Sequence, residues 1–230
     1  MSELDRGAVE DALQGVYQNI TTVSDGLGDA DLMRPSRCAG WAVGDVLYHQ
    51  LLDARRALRT FASPSAEPPD VDDVGYWRAY SLDGDYAPGG AESAQHARYV
   101  RIVASAYPPG ALAWEWRETA AAACRAARAC PHEAVTTQGH VLATADFMAT
   151  LAVEAAVHYL DLTVGLPAAP PPDAASMTMV RRVLDGLLGT RMPGDWDDRT
   201  YALKGTGREA VTADERSALG ALADRLPLFG

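Results

Sequence analysis

The segment LAVEAAVHYLDL, from Leu151 to Leu162, most constrains the fold, because it places three ionisable side chains in an otherwise apolar helix. On a helical wheel at about 100° per residue, His158 lies within roughly 20° of the centre of the apolar face and Glu154 within about 60°. Asp161 lies at the edge of that face, about 80° from its centre. An unpaired buried carboxylate costs several kcal/mol, so Glu154 must have a partner.

Three partners for Glu154 are compatible with this pattern. They are an arginine from another helix, a proton shared with His158, and a metal ion held by Glu154 and His158 on adjacent turns. Asp161, three residues after His158, could supply the carboxylate that usually lies behind a metal-bound histidine. The pattern alone favours a structural salt bridge or hydrogen bond, because a metal site also needs a third ligand from elsewhere.

The other histidines do not supply an obvious third ligand. His132 and His140 flank a predicted loop, and His96 lies early in a helix beside polar neighbours, so we expect all three at the surface. His49 lies in the middle of a helix that has more than one apolar flank. Helical periodicity does not by itself select His49 as a ligand.

Apolar residues at three-and-four spacing predict a mainly α protein, with four or five long helices packed as a bundle. The helices are predicted at about 3–24, 42–61, 91–106, 111–130, 144–164, 175–188 and 213–225. The segment DRTYALKGTG, residues 198–207, alternates Tyr201 and Leu203 and is the one convincing strand candidate. Four tryptophans are expected in the core rather than in a cavity wall: Trp77, Trp114, Trp116 and Trp196.

The charge and the cysteines limit the partners and the compartment. The formal net charge is -11, so neither nucleic acid nor a membrane surface is expected as a partner. No signal peptide and no stretch of about 18 uncharged apolar residues is found. The three cysteines include no CxxC pair, which favours free thiols in a reducing cytoplasm, and Cys38 is interpreted as structural. Lys204 is the one lysine, and the bias towards Arg, Ala, Gly and Pro indicates a GC-rich bacterial genome.

Two short motifs resemble those of a known family. SRCAGWAVGDVLYH, residues 36–49, resembles the CPGWTVRDLLAH signature of the mycothiol-dependent maleylpyruvate isomerase family, within the DinB-like superfamily. VEAAVHYLDLTVGLP, residues 153–167, is similar to the second signature of that family, Glu-x-x-x-His followed by x-x-Asp. The tail that begins at Trp196 also looks like the tails of actinobacterial relatives.

The resemblance implies a metal site in an up-down helix bundle. A DinB-like metal-binding bundle is expected over 1–167, followed by a linker and a small mixed α/β extension over 168–230. The family holds a divalent metal, usually zinc, and the matching residues here are His49, Glu154 and His158, with Asp161 behind His158. Two histidines and one carboxylate leave a coordination position open. In the family this position receives the thiol of mycothiol, whose pKa is lowered by zinc.

The resemblance also implies an enzyme, either a cis–trans isomerase or a thiol S-transferase. A metal-bound thiolate would attack a small electrophilic substrate, and the protein is expected to be a monomer or a homodimer. Two alternatives stay open: a metalloenzyme of specialised metabolism that uses no thiol, and a non-catalytic bundle that binds metal or a small ligand. An arginine of the tail, such as Arg208 or Arg225, is a candidate to bind a substrate carboxylate.

Overall fold

A computed structural model of the chain describes residues 4–81, 90–108, 110–166 and 168–230. Within these ranges the α-helices are α1 Arg6–Ser24, α2 Asp29–Leu32, α3 Val43–Phe61, α4 Ala91–Ala104, α5 Ala111–Ala129, α6 Thr144–Leu162, α7 Ala174–Leu188, α8 Asp198–Gly205 and α9 Ala213–Leu219. Two 3-10 helices, Gly75–Tyr80 and Gly220–Arg225, and one antiparallel hairpin of β1 Ala134–Thr137 and β2 His140–Ala143 complete the fold. The prediction of a mainly α helix bundle is confirmed.

Helix α6 lies at the centre of the bundle. It packs against α1, α3 and α7, and most of its residues are buried. Small side chains, such as Ala152 and Ala156, let the neighbouring helices approach it closely. Glu154 and His158 are only partly buried, so their polar atoms lie where the packing around α6 is interrupted.

The tail packs directly on the bundle. The carboxylate of Asp173 caps α7 by accepting a hydrogen bond from the backbone N–H of Ser176 at 2.7 Å, and α7 then lies against α1 and α6. A Cβ at Gly15 of α1 would lie 2.5 Å from Asp173 Oδ1, so glycine at this position lets the capping carboxylate lie directly against α1. None of the described helices combines the length and the hydropathy needed to span a membrane. The domain boundary at 167–168 stays a prediction.

The predicted strand over 198–207 is wrong, because residues 198–205 form α8. The side chain of Asp197 accepts a hydrogen bond from the backbone N–H of Thr200 at 2.7 Å, which caps this helix. All residues from Tyr201 to Gly205 are buried, so the alternation of Tyr201 and Leu203 does not mark one buried face. The described part of the predicted α/β extension is therefore helical.

The segment predicted as a loop between His132 and His140 contains a hairpin instead. Strands β1 and β2 pair in antiparallel register, with Thr137 opposite His140. Gln138 and Gly139 make the two-residue turn with positive φ of 47° and 82°, which matches the twist of a hairpin. The turn projects beside α3, because the side chain of Gln138 accepts a hydrogen bond from Arg56 of that helix.

Candidate metal centre

Helices α3 and α6 bring three potential metal ligands to one point. Nε2 of His49 lies 2.9 Å from Oε1 of Glu154, and Nε2 of His158 lies 3.2 Å from the same oxygen. The three donor atoms all lie within 4.8 Å of one another. Ligands of a tetrahedral zinc ion, each about 2.0 Å from it, are roughly 3.3 Å apart. The donor set and its spacing therefore fit a divalent metal.

Within this group, the charges of Glu154 and His158 strongly shift each other's pKa. Burial alone would raise the pKa of Glu154, but the charge of His158 and hydrogen bonds from His158 and His49 hold that pKa well below its usual value. Burial alone would lower the pKa of His158, yet Glu154 and the hydrogen bond with Asp161 raise it well above its usual value. Without metal the pair is thus an imidazolium and a carboxylate, and a divalent cation would displace the imidazolium proton.

Asp161 lies directly behind His158. Its Oδ2 is 2.9 Å from Nδ1 of His158, and its side chain is fully buried. Arg208 binds the same carboxylate, since its Nε donates to Oδ1 at 2.8 Å and its Nη2 donates to Oδ2 at 2.9 Å. Although burial would raise the pKa of Asp161, His158 and Arg208 hold it far below its usual value. The structure therefore gathers the four predicted site residues in one place, and their roles around a metal stay a prediction.

Cys38 lies much closer to this centre than the sequence suggested. No histidine neighbours it in the sequence, but its Sγ is 3.7 Å from Nδ1 of His158 and donates to Oδ2 of Asp161 at 3.1 Å. Cys38, His158 and Asp161 form a second group of potential metal donors. This group suits a metal less well, because Arg208 already occupies both oxygens of Asp161.

His96 is a site residue that sequence reasoning missed. Its side chain is exposed, as expected, but its Nε2 lies 3.1 Å from Nδ1 of His49. The ring of Trp41 lies 5.4 Å from that of His49 and 6.4 Å from that of His96. Partial desolvation of the ring, whose Nε2 faces His49, and the charge of His49 lower the pKa of His96. No local pattern could have found this contact, because His96 lies on a different helix, α4.

A cavity of about 410 Å³ opens beside the three donors. Its polar wall includes Asp53, Arg56 and Gln138, and its aromatic wall includes Trp77 and Phe229. The rings of Trp77 and Phe229 are stacked, with centroids 4.7 Å apart. The remaining described lining residues are Trp41, His49, Tyr76, Tyr80, Glu92, Ser93, His96, Glu154, Val157, His158, Arg208 and Gly230.

The tryptophans have different environments. Trp116 is fully buried in the core, as expected, whereas Trp77 is buried and also lines the cavity. Trp114 is 58% exposed, which contradicts its predicted place in the core. Trp196 packs against the core and donates from its indole N–H to Glu215 at 3.0 Å.

The two candidate arginines of the tail also differ. Arg208 lines the cavity, although its guanidinium is bound to Asp161. Arg225 donates to the backbone carbonyls of Leu187 and Leu188, and so provides hydrogen-bond donors for the last turn of α7. Arg225 is not among the described residues that line the cavity.

Comparison with known proteins gives one family. The family model described as "Mycothiol maleylpyruvate isomerase N-terminal domain" matches residues 15–163. This span contains the three converging donors and Asp161, whereas Arg208 and Phe229 lie beyond it. No curated protein and no solved structure matches the chain.

Proposed function

The chain belongs to the mycothiol maleylpyruvate isomerase N-terminal domain family, and on that premise we propose that it is a metal- and mycothiol-dependent enzyme that acts on a small electrophile. One observation carries the proposal: Nε2 of His49, Oε1 of Glu154 and Nε2 of His158 converge at the edge of a cavity large enough for a small molecule. A purely structural ion pair would not need such a cavity beside it.

His49, Glu154 and His158 would hold the metal and leave one position open towards a ligand. When bound there, a divalent metal, zinc in this proposal, would lower the pKa of a thiol ligand and keep it as a thiolate nucleophile. Two imidazoles, with His158 deprotonated when metal binds, and one carboxylate suit zinc better than calcium or magnesium.

The residues around the donors orient them. Nδ1 of His158 donates to Asp161, which directs the lone pair of Nε2 towards the metal position. Arg208 keeps Asp161 ionised, because its guanidinium forms three hydrogen bonds with that carboxylate. On the other side, Nδ1 of His49 would donate to Nε2 of His96, which fixes the second imidazole in the same way. These contacts reduce the reorganisation needed when metal binds.

The cavity walls would position the substrate and exclude water from the reacting atoms. Trp41 lies against His49, and Trp77 lines the same space, so apolar surface is available next to the donors. Both cis–trans isomerisation and transfer of the thiol sulfur to the substrate are compatible with this arrangement. Product analysis distinguishes the two, since isomerisation regenerates free mycothiol and sulfur transfer consumes it.

Metal analysis of variants tests the first half of the proposal. We expect one zinc ion per chain in the wild type after dialysis, and loss of zinc in His49→Ala and His158→Ala. His132→Ala is the matched control, because the side chain of His132 is not among the described residues that line the cavity. Zinc retained in both ligand variants would contradict the proposed centre.

Thiol dependence tests the second half. We expect turnover of an electrophile by the zinc-loaded protein with mycothiol, and none without it or with Glu154→Gln. Turnover that needs zinc but no thiol would instead support a thiol-independent metalloenzyme. Zinc binding with no turnover of any electrophile would support a non-catalytic metal-binding bundle.

A further inference from the structure

We propose that the cavity selects an uncharged, planar, conjugated electrophile, such as an aryl-substituted alkene, and discriminates against dicarboxylates. This inference rests on the proposed function, because it names the substrate class of the same site. It also departs from the family name, since maleylpyruvate carries two carboxylates. Three features of the described cavity support it: the pairing of its arginines, its charge balance and its aromatic wall.

Both arginines that line the described cavity are already paired. Nε of Arg56 donates to Oδ1 of Asp53 at 3.2 Å, and its Nη1 donates to Oε1 of Gln138 at 2.8 Å. Arg208 is held by both oxygens of Asp161. A substrate carboxylate would therefore meet guanidinium groups whose charge is already balanced, which removes most of the gain from the new contact.

The charge balance of the described lining also disfavours an anionic substrate. Asp53 and Asp161 neutralise the two guanidinium groups, and the carboxylates of Glu92 and Glu154 remain. One divalent metal would balance these two groups, and a bound thiolate would then add a negative charge.

The aromatic wall suits a flat, uncharged group. Trp77 is stacked on Phe229 with an interplanar angle of 28°, and Tyr76 meets the edge of Trp77 with ring centroids 5.4 Å apart. Aromatic rings favour offset or edge contacts with other planar π-systems. Trp41 lines the same cavity and lies against His49, so aromatic surface also borders the metal donors.

A pair of probes with the same carbon frame tests the selectivity. Cinnamamide is neutral and cinnamate is anionic, and both are planar conjugated alkenes. Titration of the metal-free protein, in which no open zinc position can capture the carboxylate of cinnamate, should give a dissociation constant about tenfold lower for cinnamamide by tryptophan fluorescence and calorimetry. Equal or tighter binding of cinnamate, or no measurable binding of cinnamamide, would overturn the proposal. The assay needs no metal, no mycothiol and no turnover, so its outcome is separate from those of the metal-analysis and thiol-dependence tests.

Freeing Arg56 should abolish the discrimination between the two probes. Asp53→Asn keeps the shape of the side chain and removes the charge that neutralises Arg56, so cinnamate should bind about tenfold more tightly while cinnamamide changes little. Asp25→Asn is the matched control, because it frees Arg117 in an exposed pair that does not line the cavity. Unchanged binding of cinnamate by folded Asp53→Asn would contradict the role assigned to this pairing.

Removing one ring tests the aromatic wall. Phe229→Leu keeps an apolar side chain but removes the stacked partner of Trp77, so cinnamamide should bind about threefold to tenfold more weakly. Trp114→Leu is the control, because Trp114 is 58% exposed and is not among the described lining residues. Equal affinity of the two variants for cinnamamide would show that the wall does not contact the ligand.

Discussion

Two helices that contribute to the cavity differ sharply in how firmly they are held. Helix α6 carries Glu154 and His158 and is buried along most of its length. Helix α4 carries His96, and Val100 is its one buried residue, while Tyr99 and Ile102 are 50% and 57% exposed. Segments with few buried contacts open locally at low free-energy cost. The comparison indicates a rigid support for the proposed metal ligands and an adjustable support for the outer cavity wall.

The largest expected effect comes from the charge buried against α6. Asp161→Asn leaves Arg208, whose side chain is only 12% exposed, without its anionic partner. We expect the free energy of unfolding to fall by about 3–5 kcal/mol, as measured by urea denaturation. Glu92→Ala on α4 is the variant for comparison, and its free energy of unfolding should change by less than about 0.5 kcal/mol. Similar losses in the two variants would break the contrast between the helices.

A large-to-small substitution on each helix tests packing without charge. Leu151→Ala, at a fully buried position of α6, should cost about 2–5 kcal/mol. Ile102→Ala, at an exposed position of α4, should cost less than about 0.5 kcal/mol. Thermal and urea unfolding measure both values. A cost above about 1 kcal/mol for Ile102→Ala would mean that α4 is held more tightly than its exposure indicates.

His96 tests whether the loosely held helix still influences the metal. His96→Ala removes the hydrogen-bond partner of His49 Nδ1, so the affinity for zinc should fall about tenfold in competition with a chelator. Stability should change little, because the side chain of His96 is exposed. His132→Ala serves as the control. Unchanged zinc affinity in His96→Ala would confine the metal centre to α3 and α6.

The smallest expected effect concerns the first turn of α6. Burial and the charges of Asp73 and Asp72 raise the pKa of Asp146 to about 6. Its pKa in the unfolded chain is about 3.9, so the folded state binds the proton more tightly and stability falls as pH rises from about 4 to about 6. Asp146 is partly exposed and lies at a helix N-terminus, so the fall should be only about 1 kcal/mol.

Asp146→Asn should remove that pH dependence. The variant should be about 1 kcal/mol more stable than the wild type at pH 7 and about equal to it at pH 4. Urea titrations at the two pH values measure the difference, with the highly exposed Asp224→Asn as control. The assigned shift of the Asp146 pKa would be contradicted if stability rose between pH 4 and pH 6 by more in the wild type than in Asp146→Asn.

The sequence predicted the parts of the molecule that depend on one helix at a time. Hydrophobic periodicity located the long helices, and the wheel brought Glu154 and His158 to one face with Asp161 at its edge. These relations follow from the fixed geometry of an α-helix, so they need no knowledge of the rest of the fold. The family signature then indicated His49, which periodicity had left open.

Contacts between distant elements could not be predicted in this way. Arg208 follows Asp161 by 47 residues, and His96 follows His49 by 47, so neither contact appears in a local pattern. The predictions of short elements failed for a related reason, because burial in the folded protein overrides the weak secondary-structure preference of a short segment. The alternation of Tyr201 and Leu203 suggested a strand within what is a short buried helix. The Gln138–Gly139 pair, preceded by three β-branched residues and followed closely by Val141, was the available indication of the hairpin.

The contact between Arg208 and Asp161 also has a consequence for how such chains can be inherited. Arg208 lies outside the family span of 15–163, and its anionic partner lies within it. Recombination that exchanged the tail for one without a guanidinium at this point would leave the buried carboxylate of Asp161 with only the side chains of His158 and Cys38 as partners. Such an exchange should destabilise the chain, so the tail and the helix that it touches are one unit for stability rather than two interchangeable modules.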